Sequence, residues 1–198
     1  MCNHPHIGLT RVFGIYQCSI SIQFSHLSQL QKKKWRNTSI KGTWGFQIQA
    51  QTRWNPGLTD ETVMQYEVAV GASFPPDFKT FLRCMNGTDI PAIDVRGSSG
   101  EPPRFAPGFY SYPRDLELIK KRIESVSTDK PQLSATLEEQ GFHLPDDAKL
   151  IPIYSHRYLV CSPSIDSSPV LSIWDASDAI VYGRSLLEYL EKEVLSER

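Results

Sequence analysis

Residues 54–87 read WNPGLTDETVMQYEVAVGASFPPDFKTFLRCMNG, and this stretch decides the fold. Asn55-Pro56-Gly57 is a turn signal, after which Leu58-Thr59-Asp60-Glu61 opens a helix. Thr59 is placed to cap it, and Asp60 and Glu61 occupy the first turn, where the helix dipole favours negative charge. Val63, Tyr66 and Val70 follow at helical spacing, and Gly71 supplies the stop. Pro75 and Pro76 suit the entrance of a second helix, because a fixed φ and a missing N–H cost nothing there. Phe78, Phe81, Leu82 and Met85 then fall at i, i+3, i+4 and i+7, one apolar face. Asn86-Gly87 closes that helix, Gly87 taking the left-handed position that a Cβ would penalise. The stretch predicts a helix pair joined by a short loop.

Working outward toward the C-terminus, residues 88–113 are irregular, with Ile93-Asp94-Val95 as a short strand and Gly97-Ser98-Ser99-Gly100 as a turn. Pro102, Pro103 and Pro107 exclude longer regular structure. Asp115 to Val126 is an amphipathic helix with Leu116, Ile119 and Ile123 inward, and Ser134 to Gln140 adds a turn or two before Gly141. The last third is strand-rich. LIPIY (150–154) and YLVC (158–161) form a hairpin through Ser155-His156-Arg157, and VLSIW (170–174) and AIVY (179–182) form another around residues 175–178. Ser185 and Glu188 fit a capping box, and Leu186, Leu187, Leu190 and Val194 face the sheet. Helices first, then strands, then one helix is an α+β pattern: an N-terminal helix pair, an antiparallel sheet and a C-terminal helix packed on the sheet.

Toward the N-terminus the character changes. Residues 1–59 hold seven basic side chains and no Asp or Glu, whereas the remaining 139 carry 14 basic and 22 acidic groups, a balance of −8. Such a split divides the chain into a basic, poorly ordered extension (1–52) and an α+β domain (53–198). Within the extension only Ile15–Phe24 alternates like a strand, with Ile20, Ile22 and Phe24 on one face. A basic tail, a targeting peptide and a miscalled start are the competing readings, with tail or miscalled start favoured.

The chemistry-bearing motifs are few. Cys2, Cys18, Cys84 and Cys161 are scattered, with no C-x-x-C, which fits a reducing compartment and a cytoplasmic location. No run approaches the roughly 18 apolar residues of a membrane span. His4 and His6 stand alone as a metal pair, and no H-E-x-x-H, Walker or G-x-S-x-G pattern occurs. A hydrolase would have to combine His156 with Asp94 or Asp178 and with Ser98 or Ser99. Lys120-Lys121-Arg122 lies beside Asp115, Glu117 and Glu124 and reads as a solvated helix face, so no nucleic-acid partner is expected. The segment Asp94–Arg114 concentrates interface-type residues: Asp94, Arg96, Glu101, Arg104, Phe109, Tyr110, Tyr112 and Arg114. All of these but Phe109, together with His156 at a hairpin tip, are the candidate partner-binding residues, since Tyr and Arg dominate interface hot spots. The competing reading has Phe105, Phe109 and Tyr112 merely covering the core.

The Trp-Asn-Pro-Gly-Leu-Thr-Asp-Glu opening, the glycine-ended helix, Phe-Pro-Pro-Asp-Phe…Phe-Leu…Asn-Gly and the late strands resemble the SUKH superfamily, over roughly Trp54 to Leu195. Trp54, Pro75, Pro76, Phe78, Phe81, Leu82, Asn86 and Gly87 carry the likeness. The resemblance implies an α+β binding module without a catalytic residue set or cofactor. Bacterial members are similar to immunity proteins that neutralise toxins, nucleases among them, by stoichiometric binding. Fungal members resemble scaffolds and regulators of cell-wall synthesis, which is the alternative reading; a small hydrolase is the third. The partner implied is a protein, for an immunity role a basic toxin domain, to which the −8 balance is suited. No membrane is involved, and the chain is a monomer or weak dimer.

Overall fold

The computed structural model describes residues 7–96, 101–102, 104–165 and 167–195, with side chains placed from residue 19 to residue 193. Gly97–Gly100, Pro103, His4, His6, Cys2 and the side chains of Cys18 and Val194, all invoked above, lie outside the described residues. The described chain is α+β, with antiparallel sheets of three, two and four strands.

The helix pair forms as α2 (Asp60–Val70) and α3 (Pro76–Cys84). Thr59 Oγ1 accepts the Thr62 N–H at 3.2 Å, and Gly71 adopts φ 63° at the C-cap. Pro75 caps α3 with Pro76 as its first residue. The second helix stops at Cys84, one residue before the last position of its apolar spacing. Met85 is extended and begins β3 (Met85–Thr88), which pairs antiparallel with β2 (Trp54–Pro56), so the Asn-Pro pair lies in a strand rather than a turn. Gly87 has the expected left-handed φ, 65°, but within this strand. A Cβ there would collide with the carbonyl of Tyr110. The neighbouring Asn86 holds both backbone groups of Tyr112, donating to its carbonyl at 2.5 Å and accepting its N–H at 2.9 Å. Asn86-Gly87 is thus a polar clamp on residues 110–112, and chain approach, not helix termination, is what requires the glycine.

The N-terminal segment corrects the sequence reading. Ile7–Arg36 is one long helix, α1, followed by strand β1 (Gly45–Gln47). Ile20, Phe24, Leu27 and Trp35 are buried in the same cluster as Phe81, Met85 and Phe109, and Phe24 meets Phe81 edge-on at 5.7 Å. One face of residues 20–35 is therefore packed into the core as a helix rather than lying in a poorly ordered extension, and Ile22, assigned with Ile20 and Phe24 to one strand face, points to solvent. The physical reason is spacing: positions 20, 24, 27, 31 and 35 follow a 3.6-residue period, but position 31 is Gln, which breaks the apolar stripe. Gln31 is fully buried with neither amide atom hydrogen-bonded.

Beyond the pair, β4 (Ala92–Val95) and β5 (Arg104–Ala106) pair with each other, and β1 joins β4 on its other side, in the order β1-β4-β5. Helix α4 spans Leu116–Thr128, and α5 spans Lys130–Glu138, beginning earlier than Ser134 because Pro131 fits its first turn. The hairpins β6 (Lys149–Tyr154)/β7 (Arg157–Cys161) and β8 (Val170–Ile173)/β9 (Ala179–Gly183) make the four-stranded sheet. Its residues alternate between two cores. Ile151, Ile153, Leu159 and Val170 join the cluster of α1, α3 and the closing helix α6 (Leu186–Leu190), while Leu150, Tyr158, Val160 and Leu171 join Leu133 and Leu137 of α5. A strand with an apolar partner on each face reads as a continuous apolar run, as LIPIY does. Ser185 Oγ accepts the Glu188 N–H at 3.2 Å and caps α6.

Candidate functional site

Six separate stretches converge on one hollow of about 320 Å³, lined by Phe46, Asp94, Arg96, Arg104, Phe105, Ala106, Arg122, Ser155, His156 and Trp174. Its floor follows from strand register: Phe46, Asp94 and Arg104 are direct cross-strand neighbours on β1, β4 and β5 and so share a face. Arg96, two residues after Asp94, lies on that face as well, and its guanidinium meets the Asp94 carboxylate at 3.2 Å. Asp94 itself is buried.

The wall opposite is the tip of the β6–β7 hairpin. Ser155 takes a left-handed φ of 48°, and its carbonyl accepts the Tyr110 hydroxyl at 3.1 Å. His156 follows, its Nδ1 3.0 Å from Ser155 Oγ, with its ring between Phe46 (6.0 Å) and Trp174 (5.6 Å, edge-on). Trp174 is presented by the β8–β9 turn. Its N–H donates to the Asp178 carbonyl at 3.0 Å, and the Asp175 carboxylate accepts from Ser177 Oγ and from the N–H groups of Ser177 and Asp178. Those bonds, the Ser177 hydroxyl foremost, hold the Asp175 carboxyl below its ordinary range. The turn is thus fixed by its own hydrogen bonds while the indole is 62% exposed.

Helix α4 contributes Arg122, half-buried beside the hydroxyls of Tyr110 and Tyr158. Burial pushes the Tyr110 hydroxyl up to about 12, opposed by the Arg122 charge. Tyr110 is therefore a supporting residue beneath the hairpin tip.

Of the sequence-predicted residues, Asp94, Arg96, Arg104 and His156 come together at this hollow. Glu101 stands at its margin, 3.6 Å from Arg104. The other three do not join them. Tyr110 is buried; Tyr112 stacks on Tyr66 at 4.6 Å; Arg114 binds the Asp115 carboxylate and donates to the Thr88 carbonyl at 2.8 Å. Neither Tyr110 nor Tyr112 lines the hollow; the Tyr112 ring packs on Tyr66, as the core-covering reading had it for Tyr112 and Phe109. Phe105 goes the opposite way and is 68% exposed. Sequence reasoning missed Phe46, Arg122 and Trp174. Trp174 had a signal, an aromatic at the last position of a strand before a polar turn; Arg122 was hidden among Lys120 and Lys121; Phe46 lay in the segment read as an extension.

Asp94, Ser155 and His156 share the hollow without forming a nucleophilic triad. The serine meets Nδ1, the nitrogen an orienting carboxylate would take, and Asp94 is engaged by Arg96. Ser155 is also buried at 2% exposure. Ser98 and Ser99 lie outside the described residues, and Asp178 does not line the hollow. Among the described residues no group of three metal-ligating side chains occurs, and no helix is long and apolar enough to cross a membrane.

The chain matches no family model, no curated protein and no solved structure in comparisons with each.

Proposed function

We propose that this chain is a protein-binding module whose contact surface is the rim of the hollow: Arg104, Phe105, His156 and Trp174. The observation that carries this reading is two large aromatics, Trp174 and Phe105, standing exposed beside arginines on hydrogen-bonded elements. Trp and Arg head the residue types that anchor interfaces, because they bury much area for few rotors and still hydrogen-bond. Exposed aromatics clustered about a concavity are uncommon on a surface without a partner. A binding role without catalysis is part of the proposal, supported by the serine–imidazole geometry above.

The SUKH-like arrangement, with helix pair, antiparallel sheet and closing helix on the sheet, belongs to this proposal and rests on the motif of residues 54–87. Within it, the immunity role against a basic toxin draws on the −8 balance of residues 60–198. The lining of the hollow runs against that sign, with three arginines to one aspartate. A basic partner would therefore be seated elsewhere on the acidic body, and the scaffold or regulator reading fits this face better.

A photo-crosslinking residue placed at position 174 of the full chain in its source cells tests the reading. The exposed Val68 on α2 and Glu139 beyond α5 serve as rival and control positions. A discrete adduct from position 174 and none from 139 is expected. Adducts from 68 alone would move the interface to α2.

A further inference from the structure

Resting on the partner-binding reading above, we infer that the occupant of this face is an extended acidic segment of a partner protein, laid along the open edge of β5 with a carboxylate seated at Arg122. Three observations converge on it.

The first is the state of Arg122. It lines both the hollow of about 320 Å³ and a second one of about 220 Å³, and Trp174 is shared by the two. It lies beside the hydroxyls of Tyr110 and Tyr158. Among the described residues no carboxylate lies within 4.0 Å of it. A half-buried guanidinium with hydroxyl neighbours and no carboxylate beside it among the described residues keeps capacity for an anion, and an incoming carboxylate would form charge-assisted bonds there.

The second is the sign of the lining. Arg96, Arg104 and Arg122 line the hollow with one carboxylate, Asp94, which Arg96 engages; Glu101 at the margin pairs with Arg104 at 3.6 Å, so the lining with its margin still carries more positive than negative charge. A basic segment would meet like charge; an acidic one meets complementary potential.

The third is the strand edge. β5 ends the order β1-β4-β5, and Phe105 and Ala106 line open hollows on both sides, one with Arg122 and one with Pro91 and Arg114. An edge flanked by space on each face can accept an added strand through main-chain hydrogen bonds. The two-residue strand period then sets the chemistry of that strand. Alternate side chains fall on the Phe46–Asp94–Arg104 face, where the arginines call for carboxylates. The intervening ones fall on the face of Phe105, where apolar groups fit.

The test is titration of the full chain with acetyl-Glu-Val-Glu-Val-Glu-amide and with its Gln-Val-Gln-Val-Gln counterpart, followed by the NMR signals of the 105–106 amides and the Trp174 indole. The acidic peptide is expected to shift these signals saturably and to bind about tenfold tighter than the Gln peptide, with the difference shrinking at high salt. Arg122→Met should remove most of that difference. Arg104→Met, at an exposed side chain, should reduce it without any folding consequence. Equal affinity for both peptides, or no saturable shift with the acidic one, overturns the inference. If that happens while position 174 still crosslinks a partner, the binding surface stands and only its acidic occupant is wrong. Absence of the adduct from position 174 is the separate failure of the binding reading.

Discussion

The helix pair with its β2–β3 clamp and the face around His156 are built on opposite economies of polar groups. In the first, the polar side chains that cap and clamp are satisfied within the chain, although the Trp54 indole N–H is buried without a partner. Glu67 accepts the Phe74 N–H and pairs with Lys79, Thr59 caps α2, and Asn86 closes both backbone groups of Tyr112. In the second, Arg122 has no carboxylate within reach among the described residues, and Trp174 and Phe105 are left in solvent on elements that are otherwise well fixed. Satisfied polar groups specify a fold; rigid elements that leave capacity unused specify a surface for something else.

This contrast can be broken most forcefully at Gly87. Gly87→Ala forces a Cβ onto the Tyr110 carbonyl at a left-handed φ and should cost about 2–4 kcal/mol in urea unfolding. Asn86→Ala strands the Tyr112 N–H and carbonyl and should cost about 2–3 kcal/mol by the same measurement. A loss under 0.5 kcal/mol in either would show that the clamp is not structural.

Gln31→Leu tests the opposite sign. It removes a buried amide with both atoms unsatisfied and should raise stability by about 1–2 kcal/mol, read as a higher urea midpoint at unchanged slope. On the other side of the comparison, Trp174→Ala should leave stability within about 0.5 kcal/mol, because the indole is mostly exposed, yet abolish partner contact.

The finest test is pH dependence at Asp77. Burial raises its carboxyl above the ordinary 3.8, against the Ser168 and backbone hydrogen bonds that lower it. The folded state therefore binds the proton more tightly than the unfolded one, so Asp77 favours folding below 3.8 and loses that contribution as pH rises through its raised value. Asp77→Asn should remove that decline, so that stability rises more steeply with pH across that window. An unchanged limb would mean that the hydrogen bonds offset the burial.

How much was legible follows from the same physics. Caps and prolines act locally, so Thr59, Gly71, Pro76 and Ser185 read correctly, as did the hairpins, whose strands carry uninterrupted apolar runs. Gly87 read correctly in conformation but not in purpose, because the Tyr110 carbonyl that excludes a Cβ comes from 23 residues downstream. Helix α1 was illegible because one Gln broke its stripe and β-branched residues in IYQCSISIQF imitated a strand. The site was half legible. Arg96, Arg104 and His156 were marked by residue type, but pairing β1 with β4 brought in Phe46, and only the packing of α4 separates Arg122 from its lysine neighbours.

The most direct measurement is hydrogen–deuterium exchange of the full chain, alone and bound to the partner that position 174 captures. Added protection is expected in 92–96, 104–106, 154–157 and 172–175, with α2 unchanged. Protection concentrated in 60–70, around the exposed Met64 and Val68, with none at the hairpin tip, would contradict it.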